Sequence, residues 1–360
     1  MAAGLPGSVI VPLQLEQAEA QAGLLDYACR TSRGAVYLQC TGRAATSPPT
    51  TATLDYLTHC LEPSAHGMPR CDVFPLLPFL GWTPDQVAAL ADAEEVIAAA
   101  EHAKECHGLL DELNAARQAA GLPSLSLTLT AGHAEAADGS PPPQQAHDEP
   151  AAPQQDGQQG PAAAAAEQQA AEPAGPAGPC SRVIGDWPHP HLQFAKVAVG
   201  GTFDRLHAGH RLLLAATALV SRQHIFVGIT ADKLLASKKN RELLETYEER
   251  EAAAVGYMKM INPGATVVAG PLTDPQEPPL CAVDPEFDAI VVSEETIPGA
   301  HAINKTRAEL GFPPLVIVVI GLIYSRRRAA KLSSTDLRAE DASGPGGSPR
   351  GSSPARGRGS

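Results

Sequence analysis

Between Val183 and Ile323 the hydrophobic residues of this chain fall into short dense runs, separated by longer stretches of helical period. KVAVGG (196–201), HIFVGIT (224–230), ATVVAG (265–270), FDAIVVSEE (287–295) and PLVIVVIGLI (314–323) are the runs. Each has strand length and is bounded by turn residues. GHRLLLAATALVSR (209–222), NRELLETYEEREAAAVGYMKMI (240–261) and HAINKTRAELG (301–311) lie between them and predict helices. The strand runs are apolar throughout rather than alternating. That pattern predicts an α/β fold, a Rossmann-like doubly wound parallel five-stranded sheet with helices on both faces.

An earlier zone, residues 1–130, carries a second and smaller α/β pattern. SVIVPLQ (8–14) and GAVYLQC (34–40) predict strands, and LEQAEAQAGLLDYACR (15–30) predicts a helix. Thr83, Pro84 and Gln86 form a helix start: an N-cap, a proline at the first helical position and a capping-box glutamine. Val87 to Ala120 then reads as continuous helix. Residues 131–182 are rich in Pro, Ala and Gln and almost free of large apolar side chains. Such a stretch buries too little surface to offset its ordering entropy and predicts a disordered linker. Residues 183–341 form the second folded domain by this reading, and 342–360 a disordered tail.

Composition narrows the possibilities. A net charge of −13 over 360 residues argues against a nucleic-acid binder, which needs dense Lys and Arg. The seven cysteines are scattered, odd in number and without a CxxC pair, as in an intracellular protein with reduced thiols and no structural zinc. His102, Cys106 and His107 share a helical face but lack a fourth metal ligand. The first basic residue is Arg30, which suits neither a secretory signal nor an Arg-rich transit peptide. The most apolar run, Pro314 to Tyr324, is too short to span a bilayer as a helix. A cytoplasmic protein without membrane or nucleic-acid partners is expected.

In a parallel sheet of this kind ligands bind where strands end and helices begin. GGTFDRLHAGH (200–210) occupies that place after the first strand of the second domain. Gly200 and Gly201 allow close backbone approach, the helix start supplies amides and a positive dipole end, and His207 and His210 share its first turn. Alone, the stretch is a turn able to hold an anion. A second element, KLSSTDLR (331–338), brings two serines and a threonine to the mouth of another strand. Together they suggest a phosphate site with two walls.

GTFDRLHAGH with KLSSTDLR resembles the HxGH nucleotidylyltransferase superfamily. LLASKKN (234–240), TYEER (246–250), PLTDP (271–275) and VVSEETIPG (291–299) are similar to the eukaryotic and archaeal branch of pantetheine-phosphate adenylyltransferase. The resemblance covers about 195–340. It implies adenylyl transfer from ATP to 4'-phosphopantetheine, giving dephospho-coenzyme A and pyrophosphate, with Mg²⁺ screening the triphosphate. It also implies roles. His210 and His207 contact the ATP phosphates and His210 stabilises the transition state. Gly200, Gly201, Thr202 and Phe203 line the phosphate turn, and Lys238 or Lys239 reaches the reacting phosphates. Ser333, Ser334 and Thr335 grip the β/γ end, and Ser293 or Glu294 faces the acceptor. Asp204 either fixes the loop or meets the ligand, and Arg250 makes either a helix-face ion pair or a ligand contact. The basic run Arg326–Arg328 is either a triphosphate contact or a solvated loop.

Some animal members of that family carry a fused dephospho-coenzyme A kinase. No GxxxxGK[ST] loop occurs in this chain, so a single reaction is expected. The first domain has neither HxGH nor SST and is expected to be inactive as a transferase. The alternatives are another HxGH enzyme, cytidylyl- or mononucleotide adenylyltransferase, and a non-catalytic nucleotide-binding scaffold.

Overall fold

Residues 7–65, 71–131, 181–235, 243–274, 276–325 and 330–331 are described by the computed structural model. The first half builds β1 (Ser8–Gln14), α1 (Ala22–Thr31), β2 (Ala35–Thr41), α2 (Arg43–Thr46), α3 (Thr51–Leu61), β3 (Asp72–Leu76), α4 (Pro84–Ala88), β4 (Ala93–Ala99), α5 (Ala103–Ala119) and β5 (Ser126–Thr130). Its five strands pair in parallel in the order β3-β2-β1-β4-β5. The helix start at Thr83 forms as predicted: Gln86 N donates to Thr83 Oγ1 at 3.3 Å and Thr83 N donates to Gln86 Oε1 at 2.8 Å. The helix read from Val87 to Ala120 is not continuous. It stops at Ala88, and Ala93–Ala99 forms β4 before α5 begins. Val96, Ile97 and Ala98 are buried between the two faces of the sheet, so tertiary packing overrides the helical preference of their alanine-rich surroundings. The helix expected from Leu15 likewise begins only at Ala22, after a short 3₁₀ turn.

The second half contains β6 (Arg182–Ile184), β7 (Phe194–Gly201), α6 (Ala208–Val220), β8 (Ser221–Thr230), α7 (Tyr247–Ile261), β9 (Thr266–Leu272), α8 (Leu280–Val283), β10 (Ala289–Ser293), α9 (Ile297–Glu309) and β11 (Val316–Ile320). The five predicted strands are all present and parallel, in the order β11-β10-β7-β8-β9. A sixth strand that the hydrophobic pattern does not announce, β6, pairs antiparallel along β11. It is three residues long and only partly buried, too short for a periodicity signal. α7 starts at Tyr247 because Thr246 caps it, with a reciprocal bond from Thr246 N to Glu249 Oε2 of 2.9 Å.

With β6 set aside, the two sheets have the same strand order, and their last helix–strand units share one clamp. Asn114 exchanges two hydrogen bonds with the Leu125 backbone at 3.1 and 2.7 Å, and Asn304 does the same with Leu315 at 3.0 and 2.8 Å. Arg117 Nε donates to Pro123 O at 2.6 Å and Arg307 Nε to Pro313 O at 2.7 Å. Both guanidiniums are fully buried, and each also satisfies carbonyls of the segment leading into the neighbouring strand: Ala88, Leu90 and Ala93 for Arg117, and Cys281, Asp284 and Phe287 for Arg307. Gly121 and Gly311 take the left-handed turn after each helix, with φ of 70° and 73°.

The described parts of 1–133 and 179–360 belong to one compact unit, with core residues of both sheets in one hydrophobic cluster. α3 packs on α6, placing Leu54, Leu57 and Leu61 in the same core as Leu212 and Leu219. Polar bonds close the seam. Tyr257 Oη donates to Val73 O at 2.9 Å, and burial pushes its phenol well above the ordinary range. Trp82 Nε1 donates to the carbonyls of Met260 and Ile261 at 3.1 and 3.2 Å, capping the end of α7.

Replacing Arg307 with Leu strands the carbonyls that it serves. The expected loss is about 3–5 kcal/mol of unfolding free energy, read by urea titration. A loss below about 1 kcal/mol would show that the clamp is dispensable.

Candidate active site

β7 runs into the turn through Gly200 and Gly201. A side chain at Gly201 would bring its Cβ within 2.9 Å of the Phe203 ring, which is fully buried and folds back beneath the turn. Phe203 and Arg205 have φ of 52° and 46°, a left-handed conformation unusual for residues with side chains. Side chains from neighbouring elements hold it. The buried Asp204 accepts from Glu245 N at 2.9 Å, and Glu245 Oε2 accepts from Arg205 N at 2.7 Å. Arg205 Nη1 donates to Leu243 O at 2.6 Å. Arg250, buried on α7, donates through Nη1 to Thr202 O at 2.7 Å and Thr230 O at 2.9 Å, and through Nε to Glu245 O at 3.1 Å.

Of the two readings of Asp204, the contact seen is the loop-fixing one. Arg250 makes no helix-face ion pair among the described residues; it ties the ends of β7 and β8 to the segment before α7. Burial pushes the Glu245 carboxyl above its ordinary range, against the opposing pull of the Arg205 amide.

α6 begins at the far side of the turn. His207 is its N-cap, and its Nδ1 accepts from His210 N at 3.4 Å, which leaves Nε2 to carry the ring proton. The His207 and His210 rings stack with centroids 3.9 Å apart. The Phe203 ring meets His210 edge-on at 5.5 Å. Gly209 has a steric reason: a Cβ there would lie 3.2 Å from the His207 ring. The HAGH stretch is therefore a packed unit of two imidazoles on the positive end of a helix of 13 residues.

The sheet order reverses beside this turn, because β7 lies between β10 and β8. Ser293 ends β10 on the opposite lip of that crevice and caps the next turn, with Ser293 N donating to Thr296 Oγ1 at 3.2 Å. Glu294 forms a partly exposed ion pair with Arg182 at 2.6 Å, which holds its carboxyl below the usual range. Gly200, Gly228 and Gly270 stand side by side on adjacent strands. They make room for two side chains: a Cβ at Gly228 would lie 3.0 Å from Leu272, and one at Gly270 3.0 Å from Phe226. Leu272 and Phe226 in turn line a cavity of about 630 Å³ that also includes Thr273, Leu280 and Ile303.

The structure thus brings Gly200, Gly201, Thr202, Phe203, His207 and His210 into one turn, with Ser293 at the end of the neighbouring strand β10 and Glu294 turned toward Arg182 of β6. Lys238, Lys239, Ser333, Ser334, Thr335 and Arg326–Arg328 lie outside the described residues. The reading of the sequence missed the Asp204–Glu245–Arg250 lock and the glycine row. The row had a signal, a lone glycine inside each of two apolar strand runs. Among the described residues no group of three His, Cys, Asp or Glu side chains is placed to hold a metal, and no helix is long and apolar enough to cross a membrane.

Residues 198–340 match the family described as cytidylyltransferase-like. A phosphopantetheine adenylyltransferase of Methanopyrus kandleri is 41% identical over 156 residues, covering 43% of this chain and 96% of that one. One from Saccharomyces cerevisiae is 39% identical over 149 residues, covering 41% of this chain and 48% of that one. One from Pyrococcus horikoshii is 36% identical over 153 residues, covering 41% and 90%. The match therefore spans about half of the yeast relative and nearly all of the archaeal ones. The crevice at the strand reversal, the HAGH turn and these matches define a nucleotidyltransferase domain of the cytidylyltransferase-like class. Within that class, the chain belongs to the phosphopantetheine adenylyltransferase family.

Gly201→Ala forces the new methyl group against a Phe203 ring that has nowhere to move. A loss of about 1–3 kcal/mol in denaturant stability is expected. An unchanged midpoint would mean that the turn relaxes freely.

Proposed function

We propose that this chain transfers the adenylyl group of ATP to 4'-phosphopantetheine, a step of coenzyme A biosynthesis. The observation that carries the reading is the stacked His207–His210 pair on the first turn of α6, at the reversal of strand order. Family membership supports the choice of acceptor. The cavity lined by Phe226, Leu272, Leu280 and Ile303 offers an apolar wall for a pantetheine arm, and Leu272 also packs beside Gly200 of β7.

In this reading an acceptor phosphate oxygen attacks the α-phosphorus of ATP in line. A P–O bond to the acceptor forms, the bond between the α-phosphorus and the bridging oxygen breaks, and pyrophosphate leaves. No side chain becomes covalently attached. The protein contributes position and charge stabilisation at the phosphorus. Thr202 and the backbone of Gly200–Phe203 hold the phosphate at the turn. The helix end and His207 orient the triphosphate, and His210 donates to the oxygens on which charge accumulates. Lys238 or Lys239 and the hydroxyls of Ser333, Ser334 and Thr335 complete the phosphate contacts. In this reading Mg²⁺ would accompany ATP as its counter-ion and would screen the charge of the triphosphate. Ser293 and Glu294 face the acceptor side.

Purified full-length protein, mixed with MgATP and 4'-phosphopantetheine, is expected to release pyrophosphate. His210→Ala should lower the rate by a hundredfold or so, about 3 kcal/mol of transition-state stabilisation. Wild-type release no faster than that of the variant would falsify the reading. Arg250→Ala should slow the reaction about tenfold or more by freeing the turn that it holds. An unaltered kcat/KM would count against a pre-formed loop.

A further inference from the structure

The two halves can be compared at the first strand and the helix that follows it, joined in the first half by a turn two residues longer. In the second half Val197-Ala198-Val199 leads to Gly200-Gly201, and the helix starts His207-Ala208-Gly209-His210. In the first half Val9-Ile10-Val11 leads to Pro12-Leu13, and the helix starts Gln21-Ala22-Gly23-Leu24. The row that reads Gly200–Gly228–Gly270 in one sheet reads Pro12–Gln39–Leu76 in the other. Both imidazoles are absent and the glycine row is filled. The first half repeats the strand order of the second without its histidine pair or its glycine row. What it retains is a packing surface, formed by α3 and β3 against α6 and α7.

One ion pair on that surface touches the catalytic helix next to the proposed catalytic residue. Arg211 follows His210 directly. Its guanidinium is buried, and Nη2 donates to the carboxylate of Asp72, the first residue of β3. Arg211 Nε has no hydrogen-bond partner among the described residues, and the Asp72 carboxylate that pairs with Nη2 reaches in from a side chain that is 55% exposed. The seam around it is otherwise made of Tyr257 and the Cys29–Cys71 pair. There the Cys71 thiol is drawn below its ordinary range, first by its bond with Cys29 and further by Arg211. A buried guanidinium deprived of its carboxylate moves toward water or another acceptor. Because Arg211 and His210 share one helical turn, such a movement shifts the imidazole.

We propose that Asp72, contributed by the first sheet, is a positioning residue for the transfer reaction: it neutralises Arg211 and thereby fixes the first turn of α6 and the ring of His210. The proposal rests on the transferase reading for its kinetic consequence but not for its geometric one, and the two are measured separately.

The test uses the full chain with Asp72→Ala, Asp72→Asn and the exchange Asp72→Arg with Arg211→Asp. Ring resonances of His210, assigned by their loss in His210→Ala, report its position without any substrate. They are expected to shift in Asp72→Ala and to return toward wild type in the exchange. In the pyrophosphate assay Asp72→Ala should lower kcat about tenfold while KM for ATP changes less than threefold, because misplacement costs the transition state more than binding. Should Asp72→Ala fail to fold, Asp72→Asn keeps the shape, weakens the pair and is read in the same way. Unmoved His210 resonances in a folded variant, or a kcat within twofold of wild type, would overturn the proposal. Wild-type protein that releases no pyrophosphate, but whose His210 resonances move and are rescued, would defeat the acceptor assignment and leave the positioning role standing.

Discussion

A guanidinium taken out of water brings five N–H donors that must all find acceptors inside the protein, and this chain meets that demand almost entirely with backbone carbonyls. Arg117, Arg250 and Arg307 are each buried, and each gathers carbonyls from segments far apart in sequence. A carboxylate partner would neutralise the charge but hold a single side chain. Carbonyls hold the main chain itself. Two of these arginines set where the fourth strand of each sheet begins. The third closes the turn between β7 and α6. Removing that wiring would leave strands correctly paired and loops without a defined path.

The turn illustrates how the fold stores an unfavourable conformation. Two residues with side chains occupy left-handed backbone geometry, at a cost of order 1–3 kcal/mol each. The Asp204, Glu245 and Arg250 contacts offset it. In return the chain turns sharply enough to bring a strand end, a helix start and two stacked imidazoles around one point. Phosphoryl chemistry demands little covalent participation from a protein and much geometric constancy, and an over-determined turn supplies that constancy before substrate arrives.

Much of the second half was legible in its residues. Five apolar runs became five parallel strands, because strands buried on both faces leave an unmistakable pattern. The HAGH turn was legible because its glycines and histidines are unusual together. The first half was harder. Its fourth strand, Ala93–Ala99, is written in Glu and Ala, residues that favour helices, and only its place between β1 and β5 makes it extended. The backbone contacts of Arg250 were not legible, because no side-chain pattern betrays partners that are main-chain atoms. The kinship of the two halves lay in plain sight in Asn-x-x-Arg and the following Gly-x-Pro, but it becomes meaningful only when the matching hydrogen bonds are seen.

Two sheets with one strand order in a single chain also raise a problem of assembly. During synthesis the first sheet is complete before β7 has been made, so α3 and β3 are available as a surface on which α6 and α7 can settle. The same similarity makes strands of one sheet candidates for the wrong place in the other, the familiar hazard of tandem repeats. The divergence at the strand ends works against such exchange. Pro12 cannot donate to a central ladder as Gly200 does, and Gln39 or Leu76 would collide with the side chains that the glycine row accommodates. The residues that distinguish the two strand ends thus also favour correct pairing within each sheet.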